Sequence, residues 1–401
     1  MPGGITLEEA LQTARLCEQL GVNAISVSSY ARLTRGSDFT DAPIPQKSGA
    51  YLEFANAFKR VVRIPIIVAG RIEPEAGAAA IAAGEADFIA MGRKLLADPE
   101  LPNKLVAGQP EAIRPCIYCY ACVSEIFVNR GIKCAVNAQT GHESTAPIVP
   151  AEHAKHVLIV GGGPAGMEAA RMAVLRGHRV TLVERSDRLG GTLFFAGLAY
   201  PENGRLLDYL VRQMQHPRIE VLLRTTVDAA LLQRLEPDEI LVATGASRAA
   251  PAIEGAQQTH VWSGDELRRL MTGDGAEEIA KAKLSLAERA LFKAGGMLGV
   301  TDSTQAIQGL SKLWMPLGKR VVIIGGGLVG ASLALALQAG AKARGWKIVL
   351  IEPFAPGDSY QPSYDARSSA LSYGAKQIYQ RLGLWQEVSR RAEPIKQIHV
   401  S

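Results

Sequence analysis

Outside one short stretch, this chain of 401 residues holds a single cysteine, Cys17, and it has only seven histidines in all. That scarcity excludes a disulfide-stapled scaffold and a histidine-rich metal array. An excess of one charge is missing too. The 44 Lys and Arg nearly balance 39 Asp and Glu, and the basic doublets Arg268-Arg269 and Arg390-Arg391 stand alone, which argues for solvated helix faces and against nucleic-acid binding. Long apolar runs are scarce. The charge-free run "VVIIGGGLVGASLALAL" from Val321 is short for a membrane span, and three consecutive glycines break it; it reads as strand, loop and helix. The start "MPGGITLEEA" has neither a basic n-region nor an apolar h-region, so a cytoplasmic location is expected.

The other four cysteines are crowded together: Cys116, Cys119, Cys122 and Cys134, in a C-x2-C-x2-C-x11-C pattern without an intervening histidine. In a reducing compartment such clustered thiols bind metal more often than they pair. Three thiolates two residues apart can wrap one face of an iron–sulfur cubane, with a fourth returning from a loop. Zinc is the rival reading, although zinc sites usually bring two separate C-x2-C knuckles or add histidines. Cys17 differs. It lies on the apolar face of a helix with Leu7, Ala10, Leu11 and Ala14, and is expected to be core.

Length allows two to four domains. "TLEEALQTARLCEQLG" reads as an amphipathic helix, started by a Thr6–Glu9 capping box and ended at Gly21. Strands "NAISVSS", "IPIIVAGR" and "ADFIAMGR" alternate with helices over the first hundred residues, the signature of parallel β/α units. Two of them end in Gly-Arg, Gly70-Arg71 and Gly92-Arg93. A glycine lets backbone approach a phosphate that the arginine can pair with, and barrel phosphate sites lie after strands seven and eight.

From His156, "HVLIVGGGPAGMEAARMAVLRGHRVTLVER" runs strand, Gly161-x-Gly163-x-x-Gly166, helix and second strand to Glu184. The glycines permit a tight turn, backbone approach to a pyrophosphate and close helix–strand packing, and the acid suits a ribose hydroxyl. Glu184 disfavours a ribose 2′-phosphate, so FAD or NAD is expected over NADP. "GKRVVIIGGGLVGASLALAL" repeats the pattern at Gly325, Gly327 and Gly330, and "WKIVLIE" ends at Glu352. The intervening stretch is polar and helical in tendency.

"IVAGRI", "ADFIAMGRKLLADP" and the cysteine cluster, in that order, resemble the iron–sulfur flavoenzymes of the old yellow enzyme family, of the 2,4-dienoyl-CoA reductase, 2-enoate reductase and trimethylamine dehydrogenase type. The resemblance covers about residues 1–330. "RLGG" at Arg188–Gly191 and "ILVATGA" from Ile240 resemble the FAD-binding half of disulfide-reductase-like flavoproteins. The resemblance implies an α/β chain: the C-terminal three strands of an FMN-type (β/α)8 barrel (1–113), a [4Fe-4S] loop and linker (114–150), a Rossmann-like FAD domain (151–250), a helical linker (251–318), and a second, incomplete dinucleotide fold (319–401). It implies FAD at Gly161, Gly163, Gly166, Glu184, Arg188 and Gly191, a [4Fe-4S] cluster on the four cysteines, and NAD(P)H as donor. Gly70, Arg71, Gly92 and Arg93 would be the remainder of an FMN phosphate site. Only the last three of the family's eight strands are matched, so the open sheet edge is expected to need an oligomer, a partner chain completing the barrel, or a different packing.

The last eighty residues, with "DARSSALS" and "RLGLW", resemble instead the opening of the ubiquinone-biosynthesis FAD aromatic hydroxylases, in which Arg367 would lie near the flavin. Two partial flavoproteins joined near "GGGLVG" are therefore expected, by gene fusion, recombination, truncation or assembly artefact. The implied activity is transfer of electrons from NAD(P)H through FAD and the cluster to a small-molecule substrate with an activated C=C bond. An FAD aromatic hydroxylase and a non-catalytic nucleotide-binding remnant are the alternatives. No residue is assigned as the catalytic acid.

Overall fold

A computed structural model describes residues 5–28, 47–127, 129–246, 258–272, 276–286, 288–290, 293, 320–324 and 347–351. The chain divides into two compact units, one of residues 1–92 with 317–401 and one of residues 93–316.

In the first unit, helix α1 (Leu7–Gln19) starts at the expected capping box: Thr6 accepts from the Glu9 backbone, and the Glu9 carboxylate accepts the Thr6 N–H at 2.7 Å. Gly21, with φ +87°, turns the chain out of the helix. Strands β1 (Ile25–Val27), β2 (Ile66–Val68) and β3 (Phe88–Ile89) form a parallel sheet in that order, joined by α2 (Leu52–Lys59) and α3 (Pro74–Ala82). Ile25 pairs with Ile66, and Ile67 with Phe88. Ile66 and Val68 are fully buried against Ala55, Phe58 and Tyr51, each such aliphatic contributing about 1.5–3 kcal/mol. Asp87 ties the layers together. Its carboxylate accepts the Ile66 N–H at 2.7 Å and the Lys59 ammonium at 2.9 Å, and the first of these, then the second, holds it below the usual carboxylate range.

Cys17 departs from expectation. It is half-exposed and outside the core cluster, which takes Ala10, Leu11 and Ala14 from α1. Leu7 and Leu16 are also exposed, because the helix lays only a narrow stripe on the sheet.

The same unit holds β8 (Arg320–Ile324) and β9 (Lys347–Ile351), parallel and paired from Arg320–Lys347 to Ile324–Ile351. Gly325, Gly327, Gly330, Glu352 and Arg367 lie outside the described residues.

The second unit opens with α4 (Gly92–Ala97, whose first residue belongs to the first unit), α5 (Leu101–Val106) and α6 (Ala121–Phe127). A parallel sheet follows, built from β4 (His156–Val160), β5 (Arg179–Val183), β6 (Ile219–Leu222) and β7 (Glu239–Val242) in the order β6-β5-β4-β7. Helix α7 (Pro164–Leu175) crosses from β4 to β5. Helices α8 (Thr192–Ala199) and α9 (Pro201–Gln213) lead to β6, and α10 (Ala229–Leu235) to β7. Side chains alternate along the strands. Ile159, Val180 and Leu182 meet Met167, Leu207 and Leu210 on one face, while Leu158 and Val183 meet Leu231 on the other. Sheet order therefore changes direction at β4, and doubly wound sheets hold ligands beyond the strand C-termini at such a point.

The stretch after the sheet that read as polar and helical supplies α11 (Gly264–Thr272) and α12 (Ala276–Lys283), closed around Leu270 and Leu284. Among the described residues no helix is long and apolar enough to cross a membrane.

Candidate functional site

The glycine loop between β4 and α7 sits at the switch point. Gly161 has φ +112°, and a Cβ there would stand 2.4 Å from the Ala243 carbonyl oxygen, so no other residue makes this turn without strain. A Cβ on Gly166 would meet the Gly161 carbonyl oxygen at 1.9 Å; this glycine brings helix onto strand. Gly163 is different. Nothing lies within 4 Å of where its Cβ would be, and it caps α7 without any side-chain hydrogen bond. The first-turn N–H groups of a twelve-residue helix are thus open toward an incoming anion.

Beyond the loop lies a cavity of about 790 Å³, within the range of cofactor pockets, about 300–1,000 Å³. Gly161, Gly163, Glu184, Arg188 and Gly191 all line it, together with Thr244 from the end of β7. The Glu184 carboxylate is oriented from three sides. Gly162 N–H donates at 2.7 Å, and the Ser186 N–H and hydroxyl donate at 2.8 and 2.9 Å. The Arg188–Gly191 turn docks onto the glycine loop through Gly190 N–H to Gly162 O at 2.8 Å. Arg188 lays its guanidinium 5.0 Å from the Phe194 ring centre and pairs with Asp187. Gly166 lies behind this surface as a packing residue.

Sequence reasoning missed part of this wall. Residues 225–227 and the pair Asp265–Arg268, joined at 3.0 Å on α11, also line the cavity. Arg268 had read as a solvated face, yet its side chain is 14% exposed. Only the tertiary return of α11 brings it here, and no local spacing announces that.

The four cysteines lie on a segment clamped to α4. Arg114 N–H donates to Asp98 at 2.7 Å, while Asn137 and Thr140 both donate to Leu96 O at 2.9 Å. The Arg114 side chain reaches Val136 O at 2.7 Å, Glu168 of α7 at 3.7 Å and the face of Tyr209, which ties this segment to the dinucleotide fold. All four thiols are free; Cys116 and Cys122 are buried, Cys134 is half-buried and Cys119 exposed. Burial pushes the Cys116 thiol up to about 11, and the neighbouring Cys134 adds to the rise. Burial likewise raises Cys122, followed by the charges of Cys119 and Cys134. The thiols therefore share one electrostatic neighbourhood. Among the described residues, however, no three His, Cys, Asp or Glu converge closely enough for a metal ion.

Two features of the loop were not visible in its spacing. Tyr118 and Tyr120, on either side of Cys119, have left-handed φ values of 49° and 62°, rare for bulky residues and typical of functional strain. Tyr118 N–H also donates to the Cys116 sulfur at 3.4 Å.

Of the Gly-Arg pairs, Gly70 (φ +118°) and Arg71 (φ +55°) end β2. A Cβ on Gly70 would strike the Tyr51 ring at 2.8 Å, so packing alone demands a glycine there. Gly92 opens α4 with free space around it. Arg93, in the second unit, directs its guanidinium onto the rings of Tyr118 and Tyr120, 5.5 and 4.9 Å away.

Comparison with known proteins gives three family matches: pyridine nucleotide-disulphide oxidoreductase over residues 127–230 and 155–355, the NADH:flavin oxidoreductase / NADH oxidase family over 1–112, and FAD dependent oxidoreductase over 320–392. The cinnamate reductase of Clostridium sporogenes is 33% identical over 328 residues, covering 80% of this chain and 45% of its own. The NADH oxidase of Thermoanaerobacter brockii is 34% identical over 357 residues, 87% of this chain and 48% of its own. The solved 2-naphthoyl-CoA reductase superposes with a TM-score of 0.70 at 25% identity, covering 96% of this chain and 51% of that one. The chain thus spans about half the length of the curated relatives it matches.

Proposed function

Since the chain belongs to the pyridine nucleotide-disulphide oxidoreductase family and carries a stretch of the old yellow enzyme family ahead of it, we propose that it is a flavin-dependent oxidoreductase. It holds FAD in the cavity above Gly163 and an iron–sulfur cluster on Cys116, Cys119, Cys122 and Cys134. Its reaction is NAD(P)H-driven reduction of an activated C=C bond in a small molecule. The observation that carries the reading is the cavity itself: an open cradle at Gly163, an uncapped helix N-terminus and a carboxylate held in place, all at the switch point of a parallel sheet.

When bound, the flavin and the cluster supply hydride acceptance and single-electron relay. The chain's own residues bind and orient. Gly163 leaves room for backbone to meet a pyrophosphate, and the α7 N–H groups face that charge. Glu184 presents a fixed acceptor to ribose hydroxyls and repels a 2′-phosphate, which favours FAD over an NADP-type ligand. Arg188 and Arg268 bring positive charge to the wall.

What supports a cluster is the number and spacing of the cysteines, together with the charge that Cys134 exerts on Cys116 and that Cys119 and Cys134 exert on Cys122. Among the described residues no three of them converge on one metal ion. Cys116 and Cys122 are buried, while Cys119 faces solvent. NAD(P)H entry is assigned to the second glycine loop, Gly325 to Gly330 with Glu352. FMN at Gly70, Arg71 and Gly92 would require more of a (β/α)8 barrel than strands β1–β3 supply.

The FAD dependent oxidoreductase match over residues 320–392 favours a second reading, an FAD aromatic hydroxylase fragment with Arg367 near its flavin. Anaerobic addition of NADH or NADPH separates the two. Bleaching of the flavin, followed by its return on adding an unsaturated carboxylate or thioester, is expected. Failure of the flavin to bleach would overturn the reductase, and oxygen uptake stimulated by a phenol would point to the hydroxylase.

A further inference from the structure

We propose that Lys283, on α12 and outside the cavity wall, is the residue that positions Arg268 within it, so that FAD affinity depends on a side chain FAD does not touch. The proposal rests on the FAD reading and deepens it by naming what holds α11 in place.

Asp265 and Arg268 reach the cavity from α11. They stand three residues apart, hence on one face of the helix, and Asp265 takes the Arg268 guanidinium through Nε and Nη2 at 3.1 and 3.0 Å. Their placement is only as firm as that of α11. This helix has nine residues and α12 has eight, lengths at which a helix in water is marginal without tertiary contacts. The apolar cluster between the two is small: Leu270, Ala280 and Leu284, with Trp262 alongside.

Lys283 supplies what that cluster lacks. Its side chain is 8% exposed, and its ammonium pairs with the Glu266 carboxylate at 2.5 Å. The same ammonium donates to the Val261 carbonyl and lies 5.3 Å from the centre of the Trp262 ring. Glu266 in turn closes the capping box that starts α11. It accepts the Ser263 N–H at 2.7 Å, and Ser263 Oγ accepts the Glu266 N–H at 3.1 Å. Burial alone would raise the Glu266 carboxyl, but the bonds from Lys283 and then Ser263 outweigh it and hold the group below the usual carboxylate range. One carboxylate thus serves both the cap and the ion pair, and Asp265 is its neighbour in the chain. Without the ammonium, Glu266 would keep a half-buried charge with its cation gone, and the first turn that carries Asp265 would shift to hydrate it.

The test is a double-mutant cycle read by FAD titration of the full chain, stripped of flavin, with circular-dichroism melts on the same samples. Arg268→Ala should weaken FAD binding by about tenfold, and Lys283→Met by about three- to tenfold. In the Arg268→Ala background, Lys283→Met should change affinity by less than about twofold, because residues acting through one contact are not additive. A lysine that merely stabilises the fold would weaken binding equally in both backgrounds, and that result overturns the proposal. Unchanged affinity in either single variant overturns it as well. If Lys283→Met does not fold, Glu266→Gln takes its place: it keeps an acceptor for the Ser263 N–H and removes the charge that Lys283 pairs with. A loss that vanishes in the Arg268→Ala background then supports the proposal, and a loss that persists there, or none at all, overturns it. Wild-type protein that binds no FAD overturns the FAD reading itself, which the titration shows before any variant is compared.

Discussion

Gly161 and Gly163 stand two residues apart in one loop, yet alanine at the two positions should do opposite things. At Gly161 the added Cβ would lie 2.4 Å from a backbone oxygen at φ +112°. The strained conformation costs about 1–3 kcal/mol, and overpacking against an immobile carbonyl about 1–3 kcal/mol more. Together they predict a loss of roughly 2–6 kcal/mol, and at about 2–4 °C per kcal/mol for a domain of this size the melting temperature falls on the order of 10 °C. At Gly163 the Cβ enters open space from an ordinary extended backbone, φ −74° and ψ −179°. The apo fold should lose no more than about 1 kcal/mol there, the helix-cap preference of glycine over alanine. The new methyl would occupy the cradle, so FAD affinity should fall about tenfold or more, about 1.4 kcal/mol. Circular-dichroism melts of the apo proteins and FAD fluorescence titrations read both effects. Equal apo melting temperatures, or unchanged FAD affinity in Gly163→Ala, would refute the division of labour between the two glycines.

Arg268→Ala should weaken FAD binding by about tenfold, the scale of one lost charge-assisted hydrogen bond, with little change in the apo melt; unaltered binding would remove α11 from the site. Acid stability of the first unit should depend on Asp87. Its pKa is depressed in the fold, so its contribution is full above the unfolded value of about 3.9 and disappears as pH falls through the lower folded value. Asp87→Asn should therefore melt lower at pH 7 and show a flatter pH profile below about pH 4; a profile as steep as wild type would refute the role. Cys122→Ser should lose most of its iron while FAD stays bound, because the cavity draws none of its walls from the cysteine loop. Loss of both together would show that the two sites fold as one.

Much of this fold was legible because its signals are local. The Thr6–Glu9 box, the glycine spacing and the acid at Glu184 each depend on a few consecutive residues, and each appears where its spacing put it. The apolar runs of β4 and β5 likewise follow from burial on both faces. Other features depend on what returns from afar. Arg268 reaches the cavity only when α11 folds back, and the basic doublet that contains it looks the same on any exposed helix. Gly70 reads as a phosphate glycine, but the Tyr51 ring against it gives packing an equal claim. Arg93 reads as half of a phosphate site, and its stacking depends on left-handed turns at Tyr118 and Tyr120 that no propensity favours. Cys17 shows the limit of periodicity: its place on the apolar stripe was plain, the width of the surface beneath was not.

Anaerobic purification followed by measurement of iron, acid-labile sulfide, zinc and FAD per chain tests the central claim most directly. About four irons with matching sulfide, the content of one [4Fe-4S] cluster, and one FAD are the predicted result. A single zinc, or a chain with neither metal nor flavin, would contradict it.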